Sequence, residues 1–162
     1  MNLVTLAAAV LALLGSAVIG GVFFAFSSFI MKALARVPAA QGMAAMRSIN
    51  VVVLNPSFLG TFFGTALLSL LVAGLAIQTW QLPSAPWLLA GAVLYLAGTF
   101  AVTALGNVPL NNRLAASPVT DAASVTFWKH YLDRWTLLNT VRTASALAAA
   151  IAFAIGLVQH GG

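Results

Sequence analysis

Residues 128–158 read WKHYLDRWTLLNTVRTASALAAAIAFAIGLV, and this one stretch decides the fold. From residue 136 to residue 158 it is long and apolar enough to cross a bilayer as a helix, which takes about 20 residues. Its first half carries a different pattern. Trp128, Tyr131, Trp135, Asn139 and Arg142 follow at spacings of three, four, four and three. At 3.6 residues per turn they fall within an arc of roughly 80°. Ser124 extends the stripe downward, and Ala146, Ala149 and Phe153 extend it upward, where it becomes apolar. His130 and Asp133 point off it. Three aromatics, an amide and a guanidinium therefore line up where a hydrophobic helix begins.

Working outward, the whole chain has the same character. Of its 162 residues, 62% are hydrophobic and only 6% charged, against about 25% charged in soluble domains. The composition predicts an all-α membrane four-helix bundle. Spans are expected at about 3–31, 56–78, 86–106 and 136–158, within one integral membrane domain covering residues 1–162. Short interfacial helices are expected in the two basic loops. The apolar N-terminus lacks a basic leader and is read as a retained first span.

All charged residues lie between Lys32 and Arg47 or between Arg113 and Arg142, on one side of such a bundle. The positive-inside rule then places both loops in the cytoplasm and both termini outside, in the cell's inner membrane. The net charge of +5 is explained by this orientation, and no nucleic-acid partner is expected.

The connections are legible too. Pro38 suits the first turn of a helix in which Met43, Arg47, Asn50 and Leu54 share a face. Asn55-Pro56 should break that helix ahead of span two. Gly60 and Gly64 form a GxxxG pattern that fits close packing on a neighbour, and an assembly of several copies stays open. QTWQLPSAP (residues 78–86) reads as a tight loop with Trp80 and Trp87 as interfacial anchors. Pro109 is expected to interrupt helix after span three, and Ser117-Pro118 to start the last helix.

Two constellations are candidate sites. Arg142 sits about 7 Å beyond Leu137 along its helix, and a charge at membrane depth usually faces the bundle interior. The stripe then lines a pocket opening toward the cytoplasm. The alternative is an aromatic belt with Arg142 snorkelling to headgroups. The amides Asn107, Asn111 and Asn139 fall at similar depth. Asn50, Asn55 and Asn112 suit capping and helix-to-helix hydrogen bonds as well. With no cysteine, no glutamate, two aspartates and two histidines, no metal ligand set and no cofactor is expected. No phosphate-binding loop or Ser-His-Asp arrangement is present.

Three blocks carry a family resemblance: GGVFFAFSSFIMKAL (20–34), MRSINVVVLNPSF (46–58), and GNVPLNNRL (106–114) followed by W-x-x-Y-x-x-x-W-x-x-x-N-x-x-R. Together they resemble the anthrone oxygenase family of small four-helix membrane proteins. The resemblance implies oxidation of an anthrone to an anthraquinone by O₂ without an evident metal or flavin. Such chemistry needs a flat apolar slot, donors for an oxyanion, and a proton acceptor. It would place Arg142, Asn139 and Tyr131 at the chemistry. Trp128, Trp135, Asn107, Asn111, Arg47, Asn50 and Phe26 would bind a flat, hydrophobic, oxygen-bearing molecule. The rival reading is a non-catalytic quinone- or lipid-binding module, or a small partner subunit. A transporter would call for polar residues through the membrane, which spans one to three lack.

Overall fold

A computed structural model describes residues 2–118 and 122–161 of the chain, and these are all-helical apart from short turns. Four helices are long and apolar enough to span a membrane: α1 (Leu3–Leu34), α3 (Pro56–Gln78), α4 (Ala85–Ala116) and α5 (Ala122–Gly161). The short α2 (Ala39–Val52) follows α1. In lipid the backbone has no solvent partner, so an apolar chain of this kind satisfies its N–H and C=O groups within helices. The four long helices make this an integral membrane protein. α5 has 40 residues, about 60 Å at 1.5 Å per residue. That is about twice a hydrocarbon core of 30 Å, so its first turns, which carry Trp128 and Tyr131, extend toward the basic loops.

The caps follow local sequence. Asn2 Oδ1 accepts from the Thr5 N–H at 2.9 Å and starts α1. Asn55 Oδ1 accepts from the Phe58 N–H, and Asn55 Nδ2 donates to the Val52 carbonyl, both at 3.0 Å. Asn55 thus closes α2 and opens α3, with Pro56 in the first turn where a missing N–H costs nothing. In the second loop the helical residues are continuous with the spans. The helix start expected at Ser117-Pro118 falls partly on residues 119–121, outside the described residues, as does the side chain of His160.

Pro109 interrupts the regular winding of α4 without ending the helix. The helix runs through it to Ala116. Two stretches just before it, Leu94–Ala101 and Thr103–Asn107, are wound as π-helix. The Val108 N–H reaches back to the Thr103 carbonyl, one residue further than in an α-helix. This wider turn shifts the register ahead of the proline and relieves the clash its ring would otherwise make. A third π stretch, Phe26–Ile30, lies in α1.

α1 packs on α3 and α5, and α4 packs on α5 and on α3. Glycines permit two of the closest approaches. At Gly98 a side chain would run into Ser145, and at Gly91 into the ring of Phe153. Gly60 and Gly64 face open space instead, so the GxxxG pattern does not hold this chain's own helices together.

The buried residues form two clusters. One, toward the termini, centres on alanines with Ile19, Phe23, Phe62, Leu88, Tyr95 and Phe153. The other, toward the basic loops, gathers Met31, Met43, Met46, Leu114, Trp128, Tyr131 and Trp135. Of the five stripe residues of α5 from Trp128 to Arg142, only Asn139 and Arg142 belong to neither cluster.

Candidate functional site

Arg142 is 4% exposed and lies at the junction of the two clusters. Its guanidinium carbon stands 4.0 Å from the ring centroid of Phe23 and 5.2 Å from that of Trp135, close enough for cation–π attraction to both. Nη1 donates to Thr103 Oγ1 at 3.2 Å, and Nη2 to Asn139 Oδ1 at 2.7 Å. Nε is buried without a hydrogen-bond partner. All these neighbours are neutral. Asp133, the only acid among the described residues, lies nine residues earlier on α5, about 13 Å along the axis, and lines a separate groove with Lys32. A buried guanidinium without a counter-charge costs several kcal/mol, and its three remaining N–H donors seek acceptors.

Asn139 is the bracket behind it. Its Nδ2 donates at 2.7 Å to both the Phe23 carbonyl and Ser27 Oγ. Both acceptors lie where α1 passes into its π stretch, which draws carbonyls off the regular ladder. One asparagine therefore ties α5 to α1 and fixes the guanidinium. Every hydrogen-bonding atom of Asn139 is directed at protein.

Asn111 is set with equal definition. Its Oδ1 accepts from Tyr131 Oη and from Trp135 Nε1, both at 2.8 Å. An indole nitrogen can only donate, so Asn111 must present its oxygen there. Its NH₂ group is thereby turned elsewhere.

These residues surround a partly enclosed cavity of about 200 Å³. Phe23 and Phe26 of α1, Met46 and Ile49 of α2, and Phe58 and Phe62 of α3 form its apolar walls, and Asn50 of α2 adds an amide. Thr103 and Asn111 of α4 and Trp135 and Arg142 of α5 supply the other polar atoms. A larger groove of about 570 Å³ between α4 and α5, with His130 and Arg134 at its edge, is open and shallow. The enclosed cavity is the better candidate because it contains the uncompensated charge.

Of the ten residues singled out in the sequence, Arg142, Trp135, Asn111, Asn50 and Phe26 line this cavity. The other five do not. Tyr131 is fully buried and stacks between Trp128 and Trp135, with centroids 5.5 and 6.2 Å away. It donates its proton to Asn111. Trp128 packs on Gly42, where no side chain would fit. Asn107 donates to the Trp135 carbonyl at 3.2 Å, and its own oxygen is buried without a partner. Asn139 stands behind Arg142. Arg47 donates through Nε to the Leu114 carbonyl at 3.0 Å and through its other end to the Ser117 carbonyl. It fastens α2 to the end of α4.

The sequence reading missed Thr103, Phe23, Phe58 and Phe62. Phe58 and Phe62 carried a signal, being one helical turn apart just after Asn55-Pro56. Thr103 had none, because its place depends on the register shift in α4. Among the described residues, no three His, Asp or Glu side chains gather as a metal-binding group.

No curated protein and no solved structure matches the chain. The family model for anthrone oxygenase matches residues 56–152, a stretch that runs from the start of α3 through Arg142. The match covers well over half of the sequence and includes Thr103, Asn111, Trp135 and Arg142 from the cavity wall, and so this chain belongs to the anthrone oxygenase family.

Proposed function

We propose that the cavity binds a flat aromatic ketone of the anthrone type and promotes its oxidation by O₂ to the quinone without a bound cofactor. The observation that carries this reading is the buried Arg142, without a counter-charge and with only two of its five N–H donors used, lining a space walled by aromatic rings. The volume supports it as well. A cavity of about 200 Å³ lies between the roughly 150 Å³ that holds a benzene ring and the roughly 300 Å³ of drug-sized clefts. A fused-ring ketone would fill it with one edge in the mouth.

The methylene of an anthrone, flanked by two rings and conjugated to the carbonyl, loses a proton to water or hydroxide at the cavity mouth, giving an enolate whose charge rests on oxygen; the O₂ adduct later takes a proton back. The Arg142 guanidinium and the NH₂ of Asn111 are the donors for that oxygen. They favour the anion over the ketone in a site that excludes water. The anion is electron-rich enough to add O₂ at the former methylene carbon. Loss of water from the adduct leaves the second carbonyl. One ketone and one O₂ give one quinone and one water, and both methylene hydrogens leave in that water. The walls offer donors and no carboxylate or imidazole, so the protein acts by raising the acidity of the ligand. Tyr131, Trp128 and Asn139 hold Trp135, Asn111 and Arg142 in place.

That lining, which has donors but no carboxylate or imidazole, also favours a second reading, a module that holds a quinone through its carbonyl without chemistry. Purified protein in lipid vesicles, given anthrone, separates the two. The enzyme takes up one O₂ per anthraquinone formed, well above the rate in empty vesicles. A binding module quenches tryptophan fluorescence but leaves the oxygen level at the vesicle control, and that result would end the oxygenase reading.

The same proposal places the basic loops in the cytoplasm and both termini outside, supported by the one-sided charge.

A further inference from the structure

On the basic-loop side the cavity is covered. α2 lies across it, with Met46 fully buried and Ile49 and Asn50 forming part of the wall. Arg47 fastens that cover to the last turn of α4 through the Leu114 and Ser117 carbonyls. The opening is on another side. Leu54 after α2, Phe63 of α3 and Val108 of α4 also line the cavity, and they are 64%, 50% and 41% exposed. These three are apolar.

Depth decides what Phe63 faces, whereas Leu54, before Pro56, and Val108, 23 residues after Ala85, lie near the loop-side boundary of the hydrocarbon. α3 has 23 residues, about 35 Å, which barely exceeds a hydrocarbon core of about 30 Å. Phe63 lies seven residues after Pro56, about 10 Å along the helix, and so several ångströms inside the hydrocarbon. From the level of Phe62 and Phe63 onward, α3 and α4 are locked together, with the Phe63 ring itself edge-on to Phe100 at 5.7 Å. Tyr95 Oη donates to the Phe62 carbonyl at 3.0 Å, and the rings of Phe62 and Phe100 stack at 5.4 Å. The gap is therefore confined to the stretch beside Arg142.

We propose that the ligand reaches this site sideways from the bilayer, through a portal between α3 and α4 gated by Phe63 and Val108. The molecules it admits are uncharged, membrane-dissolved aromatic ketones. The same ring system carrying a sulfonate or other permanent charge would be refused at the portal, whatever its fit inside. This inference rests on the cavity being the ligand site.

The test uses the full-length protein in phosphatidylcholine vesicles with anthrone as the probe, followed by stopped-flow quenching of tryptophan fluorescence. Phe63→Trp and Val108→Trp narrow the gap, and Phe63 is exposed enough to take the larger ring. Association and dissociation should both slow by tenfold or more, while Kd moves less than threefold. Unchanged rates in both variants would overturn the portal. So would faster exchange in Arg47→Ala, which frees α2, with no effect of the tryptophans. A ligand-independent arm uses the absence of native cysteine. A nitroxide on Phe63→Cys should be relaxed by dissolved O₂ and shielded from an aqueous nickel chelate. Relaxation by nickel would overturn the portal and leave the site reading standing. Wild-type protein that fails to bind anthrone at all would overturn the site, and the portal with it.

Discussion

Replacing Asn111 with leucine should be among the most damaging changes of similar volume in this chain. The amide oxygen is the shared acceptor for two donors, Tyr131 Oη and Trp135 Nε1, each at 2.8 Å. Tyr131 is fully buried and Trp135 nearly so. Leucine fills the space and leaves both donors without an acceptor. Orphaning a buried donor costs about 1–3 kcal/mol. Hydrogen bonds between helices in membranes average nearer 0.6 kcal/mol, with a maximum near 1.7, because the unfolded segments find other partners. Two donors sharing one acceptor then give about 1–4 kcal/mol. At about 2–4 °C per kcal/mol for a chain of this size, the apparent Tm in detergent should fall by roughly 2–16 °C, with the middle of that range expected. Asn111→Asp keeps an acceptor for both donors and should cost less than leucine. Adding Tyr131→Phe removes one orphan, so the double variant Asn111→Leu/Tyr131→Phe should be more stable than Asn111→Leu alone. A double variant that instead loses the sum of the two single costs would refute the shared-acceptor account.

Three further outcomes follow from the same contacts. Asn139→Ala removes the tie from α5 to the Phe23 carbonyl and Ser27 and one partner of Arg142, so it should destabilise by about 1–3 kcal/mol and weaken anthrone binding, whereas Asn139→Gln should be no better than alanine if position, not polarity, matters; a thermal-shift and fluorescence-quenching series reads both. Gly98→Ala places a methyl on Ser145 and should lower Tm, and Ser145→Gly in the same chain should restore it; an unrestored double variant would show that the close approach is not the cause. For orientation, single cysteines at the exposed Gln81 and Gln41 in intact cells should react with an impermeant maleimide at Gln81 only; labelling at Gln41 alone would reverse the proposed topology.

The parts of the fold that were legible in the sequence are those fixed by composition and period. Long apolar runs require helices in lipid, and Asn55-Pro56 marks a break through a cap and a missing donor. The stripe from Trp128 to Arg142 was visible because a straight helix keeps residues three and four apart on one face. What was hidden depends on changes of register and on packing between helices. Pro109 reads as an interruption because a regular helix cannot hold it, and nothing local announces the π turn that lets α4 continue. That same turn brings Thr103 to Arg142. A periodic stripe also cannot tell which residues touch a cavity. Asn139 and Arg142 share a face, yet one is spent on α1 and the other opens into the cavity. Arg47 shares a helix face with Asn50, but its length carries it to the carbonyls ending α4.

The central claim, that Arg142 stands ready to neutralise an oxyanion on the ligand, is tested most directly by the ionisation of bound anthrone. The enolate absorbs at longer wavelength than the ketone, so a pH titration in the presence of saturating protein reads its pKa in the cavity. An opposite charge within about 4–6 Å lowers such a pKa by roughly 1–3 units. Wild-type protein should therefore lower it by at least about one unit relative to anthrone in empty vesicles, and folded Arg142→Gln should abolish that shift. A bound anthrone that ionises at the same pH in wild type and in Arg142→Gln would contradict the account.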